Sequence, residues 1–419
     1  MNHCKRVIVI PDGFADLPID SLGGLTPMQA AKTPTLDHWA PRAAQGLSHN
    51  VPDALSPGSD VATLALLGYD PLTTYTGRAP LEAAAQGIEL GPEDWAFRCN
   101  LVTLENGVMK DFTAGHVTTP EAEEIIADVQ REVAPLWREI APELGGSVEF
   151  LPGVSYRNLA IFRPDSNGAP FPFAQETKTV PPHDYTDRSI VDVYPQGPGG
   201  AQVVALMERC AEALKKSPTN ARRVAKGLLP ATDCWLWGQG KRPTLQPFSQ
   251  AFSWGRGAMI TAVDLLRGIA RNLGWDVLEV EGATGYVDTN FSGKGNAAAK
   301  ALDDYDIVVV HVEAPDESGH EGSVEKKIAS LEQIDALVLP PILEKLQSFD
   351  NWRLLISPDH PTPISMKTHS RGFVPWAIVG SDVTGDGFTT YDETTGERST
   401  RRFPEGQGLM NLFLRGNLQ

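Results

Sequence analysis

Three apolar runs of the chain each end in the dipeptide Pro-Asp: VIVIPD at Asp12, VVVHVEAPD at Asp316 and RLLISPD at Asp359. Buried parallel strands have this β-branched composition, and the carboxyl ends of such strands form the edge at which ligands bind. A single aspartate after a strand is more often a turn or helix-capping residue. Because the pattern occurs three times, it predicts that the three carboxylates converge on one crevice.

Histidines follow two of these aspartates. His320 lies four residues after Asp316, His360 directly follows Asp359, and His369 comes next in the segment KTHSRG. A lone histidine is usually a surface or hydrogen-bonded residue, but three of the nine histidines of the chain fall near these aspartates. Carboxylates and imidazoles together are suitable ligands for manganese or zinc. We therefore interpret the set as a metal site.

Ser59 precedes an apolar segment that predicts a helix. In LSPGSDVATLALLGYDP, Pro57 and Gly58 form a turn, and the helix is expected over residues 60–67. Taken alone, the serine is a good helix cap. A serine at a helix amino terminus also lies beside free backbone amides and the positive end of the helix dipole, which suit an incoming phosphate. A coordinated cation would make its hydroxyl more acidic and therefore nucleophilic.

The elements that must position these residues alternate along the chain. Strands are predicted at residues 6–10, 277–280, 306–312 and 353–356, and helical segments at 28–43, 259–273, 297–302 and 324–346, the last broken or kinked at Pro340 and Pro341. Alternation of helices with β-branched strands indicates a mostly parallel sheet with helices on both faces. The predicted fold class is therefore α/β.

The middle of the chain has a different character. Strands are predicted at residues 97–104, 148–150 and 159–162, and long amphipathic helices at 120–140 and 200–216. We interpret residues 76–244 as an inserted α+β domain, which interrupts a metal-binding domain made of residues 1–75 and 245–419. Two domains are also expected from the length, because 419 residues exceed the usual size of a single core.

Composition limits the classes of partner and compartment. The formal net charge of -17 argues against nucleic acid and anionic membranes as partners, because both carry dense negative charge. The four cysteines are scattered, form no zinc or disulfide motif, and favour a reduced, cytoplasmic setting. No signal peptide or membrane span is expected, since the apolar runs are of strand length. The sequence makes no prediction of an oligomeric state.

Six segments in order resemble the cofactor-independent phosphoglycerate mutases of the archaeal type, within the alkaline phosphatase superfamily: PDGFAD, PGSDVATLALLGYDP, YTGRAPLEA, EGATGYVDTN, HVEAPDESGHEG and SPDHPTP. The resemblance spans nearly the whole chain. It implies an alkaline-phosphatase-like metal-binding domain and an inserted substrate-binding domain. It also implies two divalent cations, with manganese expected and zinc or magnesium as alternatives, and no requirement for 2,3-bisphosphoglycerate.

The resemblance also implies a ligand set and a reaction. One cation is assigned to Asp12, Ser59, Asp359 and His360, and the other to Asp316, His320 and His369. Ser59 would take the phosphoryl group from 3-phosphoglycerate and return it to the other hydroxyl of glycerate, which gives 2-phosphoglycerate in glycolysis and gluconeogenesis. Closure between the two domains would exclude water during transfer. A small phosphorylated molecule is therefore the expected partner.

Arginines are the candidates for holding the phosphate and carboxylate of the substrate, because the guanidinium fork matches these oxyanions. They are Arg98 in FRCN, Arg157 in SYRN and Arg256 in WGRG, each with a surface-charge role as the alternative. Arg256 stands where the family more often has lysine. His183, in PPHDYTD, also matches a family segment and is included as a substrate-binding candidate.

Two features leave the phosphoryl acceptor open. Thr63 occupies a position at which relatives commonly carry histidine, and DCWLWGQGKRP resembles a bacterial branch of the group for which a homoserine kinase role has been proposed. The alternatives are therefore phosphoryl transfer to another acceptor, such as homoserine, and hydrolysis by a phosphatase of the same superfamily. A metal-binding protein without catalysis is a third possibility, of a different class.

Overall fold

The computed structural model describes residues 4–166, 168, 170–174 and 176–418. The chain divides into two compact units, one made of Met1–Tyr75 with Thr244–Gln419 and the other of Thr76–Pro243. The first unit has an α/β architecture and the second an α+β architecture, so the predicted fold class is confirmed. None of the helices in the described ranges has the length and hydropathy of a membrane-spanning segment.

The first unit is built on an eight-stranded sheet. Its strands, in spatial order, are Arg402–Phe403, Ala44–His49, Phe373–Gly380, Asn351–Ile356, Cys4–Pro11, Ile307–Val312, Gly257–Ile260 and Asp276–Val277. Among these strands, Phe373–Gly380 runs antiparallel to both of its neighbours, and every other pairing is parallel. The two strands that flank Cys4–Pro11 are the other two predicted to end in Pro-Asp, which places three strand ends side by side.

Helices surround this sheet. They are Pro27–Ala30, Pro34–Trp39, Ser59–Leu66, Pro71–Thr74, Phe248–Ala251, Asp264–Asn272, Phe291–Ala301, Ala314–Glu321, Val324–Gln333, Leu339–Leu346, Glu393–Arg398 and Gly408–Arg415, with 3-10 turns at Asp20–Leu22 and Ala40–Arg42 and a π-helical turn at Ile334–Val338. Along the central strand, alternate residues face opposite sides of the sheet, yet Val7, Ile8, Val9 and Ile10 are all fully buried. Both faces of the sheet are therefore covered, as the apolar composition of the strand requires.

Three predicted elements of this unit differ from the structure. Residues 259–273 were expected to form one helix, but Gly257–Ile260 is a strand paired with Ile307–Val312, and the helix begins only at Asp264. The strand expected at 277–280 is the short Asp276–Val277. The interruption of residues 324–346 lies directly before Pro340 and Pro341, in the π-helical turn Ile334–Val338, and the two prolines themselves lie at the start of Leu339–Leu346.

The second unit is a five-stranded antiparallel sheet with helices. Its strands are Val108–Asp111, Trp95–Glu105, Arg157–Arg163, Ser147–Val154 and Asp233–Lys241, and the last of these pairs with Trp95–Glu105. Its helices are Arg78–Ala85, Thr119–Glu132, Trp137–Ile140, Gly200–Leu214 and Pro218–Ala225, with 3-10 turns at Ala134–Leu136 and Pro182–Tyr185. The helix expected over residues 120–140 therefore ends at Glu132, where Val133 and the 3-10 turn interrupt it.

Candidate active site

The three Pro-Asp aspartates lie at one edge of the first unit's sheet. Asp12 follows Cys4–Pro11 directly, Asp316 lies in the first turn of the helix after Ile307–Val312, and Asp359 comes three residues after Asn351–Ile356. Because these three strands are parallel neighbours, their carboxyl ends meet at the same place. All three side chains are buried, so the charges lie in a medium that screens them weakly.

Ser59 stands beside two of the predicted ligands. Its Oγ lies 3.0 Å from Asp12 Oδ2 and 3.2 Å from His360 Nε2. His360 Nε2 is in turn 3.3 Å from Asp12 Oδ1 and 3.7 Å from Asp359 Oδ2. The serine is the first residue of Ser59–Leu66, so its oxygen lies at a helix amino terminus, as the sequence predicts. Oxygen and nitrogen atoms of four side chains thus face one small volume.

Asp359 has a polar atom that the protein does not satisfy. Its Oδ1 accepts hydrogen bonds from the backbone amides of Gly13 and His360, at 3.2 and 2.9 Å. Its Oδ2 is buried and accepts no hydrogen bond from any described residue. A buried carboxylate oxygen without a partner is unfavourable unless a cation or a bound molecule satisfies it. The donor set therefore fits a metal ion.

A second set of ligands adjoins the first. His320 Nε2 and His369 Nε2 lie 3.2 and 3.5 Å from Asp316 Oδ2, and the two nitrogens are 3.0 Å from each other. The rings of His360 and His369 have centroids 4.6 Å apart, which brings the two sets together. Ligand atoms of Asp12, Asp316 and His360 also lie within 4.8 Å of one another. The structure thus places all seven predicted ligands in one cluster.

The electrostatics of the cluster are those of crowded carboxylates. Burial, reinforced by the charges of Asp359 and Asp316, raises the pKa of Asp12 well above its usual value. Burial acts on Asp316 in the same direction, but hydrogen bonds from His320 and His369 hold its pKa well below the usual value. The hydrogen bond to Asp316 raises the pKa of His320 to about 9, whereas burial lowers the pKa of His360. A divalent cation would relieve the repulsion between the carboxylates.

Three buried residues beside the cluster were not predicted. His311 Nε2 lies 2.8 Å from Asp12 Oδ2, and Lys294 Nζ donates to the backbone oxygen of His311 at 3.1 Å. Burial lowers the pKa of His311 to about 3 and that of Lys294 to about 8. Thr362 Oγ1 donates to Asp316 Oδ1 and contacts His360 Nδ1. The only sequence signal was the presence of His311 within the run VVVHV.

A buried ion pair supports the segment that carries two of the predicted histidine ligands. Lys327 Nζ lies 2.8 Å from Asp16 Oδ2, and both side chains are almost fully buried. The same ammonium donates to the backbone oxygen of Thr362 at 2.8 Å. Asp16 also accepts the backbone amide of Ile364. These contacts fix the backbone between His360 and His369.

Thr63 is fully buried one turn after Ser59. Its hydroxyl has no hydrogen-bond partner among the residues that the structure describes. Asp60, the residue directly after Ser59, accepts a hydrogen bond from Tyr75 Oη at 2.7 Å. The first turn of the helix after the serine therefore contains the Asp60 carboxylate, which accepts a hydrogen bond, and the Thr63 hydroxyl, which has no hydrogen-bond partner among the described residues.

Three of the four predicted substrate-binding residues lie in the second unit, around the strand Trp95–Glu105. Arg98 is buried, pairs with Glu82 at 2.9 Å, and its guanidinium lies over the ring of Trp237, 4.3 Å from the centroid. Arg157 lies opposite Asn100, two residues along from Arg98, so the two arginines share a face of the sheet.

His183 packs beside the same tryptophan. Its ring centroid lies 5.7 Å from that of Trp237 and 6.0 Å from that of Phe112.

Burial lowers the pKa of Arg98 despite Glu82, and the charges of Arg78 and Arg157 lower it further. The positive charges of Arg78 and Arg157 thus act on Arg98, and a concentration of guanidinium groups suits an anion.

Arg256, the fourth candidate, lies elsewhere. It precedes Gly257–Ile260 at the amino end of that parallel strand, whereas the carboxylate cluster lies at the carboxyl ends. Its side chain is about two-thirds exposed (66%), pairs with Asp276 at 3.2 Å and lies over the ring of Tyr305. The structure thus does not bring Arg256 to the cluster.

The mostly parallel sheet, with carboxylates and imidazoles around a serine at its carboxyl edge, defines an α/β protein whose candidate active site lies at the strand ends. The family model described as 2,3-bisphosphoglycerate-independent phosphoglycerate mutase matches residues 40–220. A curated protein of that name from Methanosarcina barkeri is 43% identical over 98% of this chain and 99% of its own length. The chain belongs to the family of 2,3-bisphosphoglycerate-independent phosphoglycerate mutases.

Solved structures agree with this fold. A protein from Pyrococcus horikoshii is 26% identical, with a TM-score of 0.80 over 100% of this chain and 99% of that one. The cofactor-independent phosphoglycerate mutase of Thermoplasma acidophilum is 24% identical, with a TM-score of 0.65 over 98% of this chain and 99% of that one. The similarity to the Thermoplasma acidophilum structure is evidence for the fold alone.

Proposed function

We propose that this chain interconverts 3-phosphoglycerate and 2-phosphoglycerate by passing the phosphoryl group through Ser59. The observation that carries the proposal is the position of Ser59 Oγ, at a helix amino terminus and 3.0 Å from Asp12 Oδ2 within the carboxylate and imidazole cluster. The name borne by relatives more than 40% identical over nearly the full length supports the substrate. The reaction is therefore an isomerisation, by way of a phosphoserine.

The proposal includes two divalent cations, with manganese expected and zinc or magnesium as alternatives. One would be held by Asp12, Ser59, Asp359 and His360, and the other by Asp316, His320 and His369. The unsatisfied Oδ2 of Asp359 supports the first set, and the convergence of two Nε2 atoms on Asp316 Oδ2 supports the second. When bound, such cations neutralise phosphate oxygens and make the serine hydroxyl more acidic.

The chain's own groups carry the transfer. Ser59 Oγ forms a bond to phosphorus while the bond from phosphorus to O3 of 3-phosphoglycerate breaks. The proton that Ser59 loses is balanced by the proton that O3 of glycerate gains, so the leaving oxygen departs as a hydroxyl. In the second half, O2 of the retained glycerate forms a bond to phosphorus while the bond from phosphorus to Ser59 Oγ breaks, and the proton lost by O2 restores the Ser59 hydroxyl. The overall exchange of protons is then balanced.

The carboxylate and phosphate of the substrate need cationic partners besides metal ions. Arg98, Arg157 and His183 remain the candidates, and the excess of guanidinium groups around Arg98 supports them. The contact with the Trp237 ring and the ion pair with Glu82 restrict the movement of the Arg98 guanidinium, which favours a bidentate contact with an oxyanion. Arg256 instead contacts Asp276 and Tyr305.

A mutase assay tests the proposal. Purified chain given Mn²⁺ and 3-phosphoglycerate should form 2-phosphoglycerate, followed by ³¹P NMR, and a chelator should stop the reaction. Ser59→Ala should abolish turnover, whereas Ser292→Ala, at an exposed position in the first turn of Phe291–Ala301, should not change it. Mass spectrometry after an acid quench should find a phosphoryl group on Ser59.

Other outcomes would identify the alternatives. ATP-dependent phosphorylation of homoserine without any 2-phosphoglycerate would replace the mutase by a kinase. Release of inorganic phosphate as the sole product would indicate a phosphatase. Unchanged turnover of Ser59→Ala would refute the phosphoserine, whichever acceptor is used.

A further inference from the structure

We propose that His311, held in one tautomer by Thr261, acts as a positioning residue that orients the carboxylate of Asp12 for cation binding. The inference rests on the proposed metal site and adds two residues to it. Neither residue belongs to the two ligand sets. Both are almost fully buried, so their contacts are with protein groups.

The position of His311 follows from the sheet. It is the fifth residue of Ile307–Val312 and pairs in register with Ile10, two residues before Asp12. From there its Nε2 reaches Asp12 Oδ2 at 2.8 Å. Its Nδ1 lies 3.1 Å from Thr261 Oγ1, directly after the neighbouring strand Gly257–Ile260. The imidazole thus links the residues that follow the two strands on either side of its own.

The hydrogen bonds of Thr261 determine the tautomer. Its Oγ1 accepts the backbone amide of Val263 at 3.1 Å, which leaves the hydroxyl proton free to be donated to His311 Nδ1. The ring proton is then on Nε2, and it is donated to Asp12 Oδ2. With Asp12 ionised, as cation binding requires, the opposite tautomer would bring a nitrogen lone pair to within 2.8 Å of a carboxylate oxygen, which is repulsive.

This arrangement fixes the rotation of the Asp12 carboxylate. Oδ2 is held by His311, and Oδ1 is directed to the side of His360 Nε2, 3.3 Å away. A carboxylate that is free to rotate loses conformational entropy when a cation binds. A carboxylate that is already oriented loses less, so the cation binds more tightly. Groups that orient metal ligands in this way typically change metal affinity by about 10- to 100-fold when removed.

Mn²⁺ binding to three variants tests the inference, with free Mn²⁺ measured by EPR and the thermal unfolding midpoint recorded for each protein. His311→Leu fills a similar volume but has no donor, and its Mn²⁺ dissociation constant should rise about 10- to 100-fold. His311→Gln places an amide N–H where Nε2 lies, and it should bind Mn²⁺ within a few-fold of the original chain. Thr261→Val, which removes only the tautomer control, should fall between them.

Each outcome decides the matter. Unchanged Mn²⁺ affinity in His311→Leu would overturn the role of His311, and equal weakening in the Leu and Gln variants would show that only space-filling matters. If His311→Leu does not fold, Thr261→Val with unchanged affinity overturns the proposal by itself. A failure of the original chain to bind Mn²⁺ would refute the proposed metal site, and the role of His311 with it.

Discussion

Replacing Lys327 by methionine would remove a charge from the interior while keeping most of its volume. Lys327 Nζ lies 2.8 Å from Asp16 Oδ2, and the side chains are 0% and 1% exposed. In Lys327→Met the carboxylate of Asp16 stays buried, with backbone amides such as that of Ile364 as its remaining partners. Removing one partner of a buried ion pair typically destabilises a protein by about 3–5 kcal/mol. We expect a loss of that size in the free energy of unfolding.

Urea unfolding followed by tryptophan fluorescence would measure this loss, with Lys326→Met as the matched control. The neighbouring Lys326 is 47% exposed and pairs with Glu321 at the surface, so its replacement should change stability by less than about 1 kcal/mol. Adding Asp16→Asn to Lys327→Met removes both charges and should recover part of the loss. A cost for Lys327→Met no larger than that of Lys326→Met would refute the reasoning.

Two further predictions concern the ligands and the substrate. The hydrogen bond to Asp316 raises the pKa of His320 to about 9, so His320 should be protonated at neutral pH. Because a cation must displace that proton to bind, the Mn²⁺ affinity should rise about tenfold per pH unit between about pH 6.5 and 8.5. EPR titrations at constant ionic strength would show this rise, and a flat profile would contradict it. Arg98→Lys removes the planar guanidinium group that lies over Trp237. Because charge-assisted hydrogen bonds contribute about 1.5–3 kcal/mol, this variant should raise KM for 3-phosphoglycerate about 10- to 100-fold. Arg256→Ala is its control and should leave KM within about twofold, and equal effects of the two variants would count against the assignment.

The positions of the three aspartates could be predicted because they depend on local sequence. Each follows an apolar run long enough for one strand, and parallel strands of one sheet necessarily end at the same edge. A shared edge does not depend on strand order, but close approach does, and it is the observed pairing of the three strands as neighbours that brings the aspartates together. The helix that begins at Ser59 was predictable for the same reason, because Pro57 and Gly58 mark the turn before it.

What the sequence did not show depends on distant pairing. Ala44–His49 has the composition AQGLSH, which does not favour a strand, yet it is held between Phe373–Gly380 and Arg402–Phe403. Its Gly46 lies where a side chain would meet the ring of Trp376, so the pairing depends on a residue of low strand propensity. Residues 259 and 260 were assigned to a helix because their apolar pattern continues into one, and only pairing with the partner strand shows that they belong to Gly257–Ile260.

The supporting residues of the site were missed for a related reason. A histidine within VVVHV has the pattern of a core position, and its partners are 50 and 299 residues away in the sequence. Lys294 and Lys327 lie on helices among polar neighbours, where a lysine is expected on the surface. Their burial follows from acceptors that only the folded chain supplies, the backbone oxygen of His311 and the carboxylate of Asp16.

The hydrogen bonds within the cluster explain why protons and cations compete there. Ser59 Oγ lies within hydrogen-bonding distance of Asp12 Oδ2 and His360 Nε2, and His320 Nε2 faces Asp316 Oδ2. Each of these contacts requires a proton between two atoms that are both proposed metal ligands. A cation that takes the lone pairs of Asp12 and His360 removes the acceptors of the Ser59 proton, so the serine oxygen must coordinate or ionise. In the proposed mechanism, the nucleophilicity of Ser59 would depend on the same groups that would hold the cation, so the pH dependence of metal binding should reappear in the rate of phosphoserine formation.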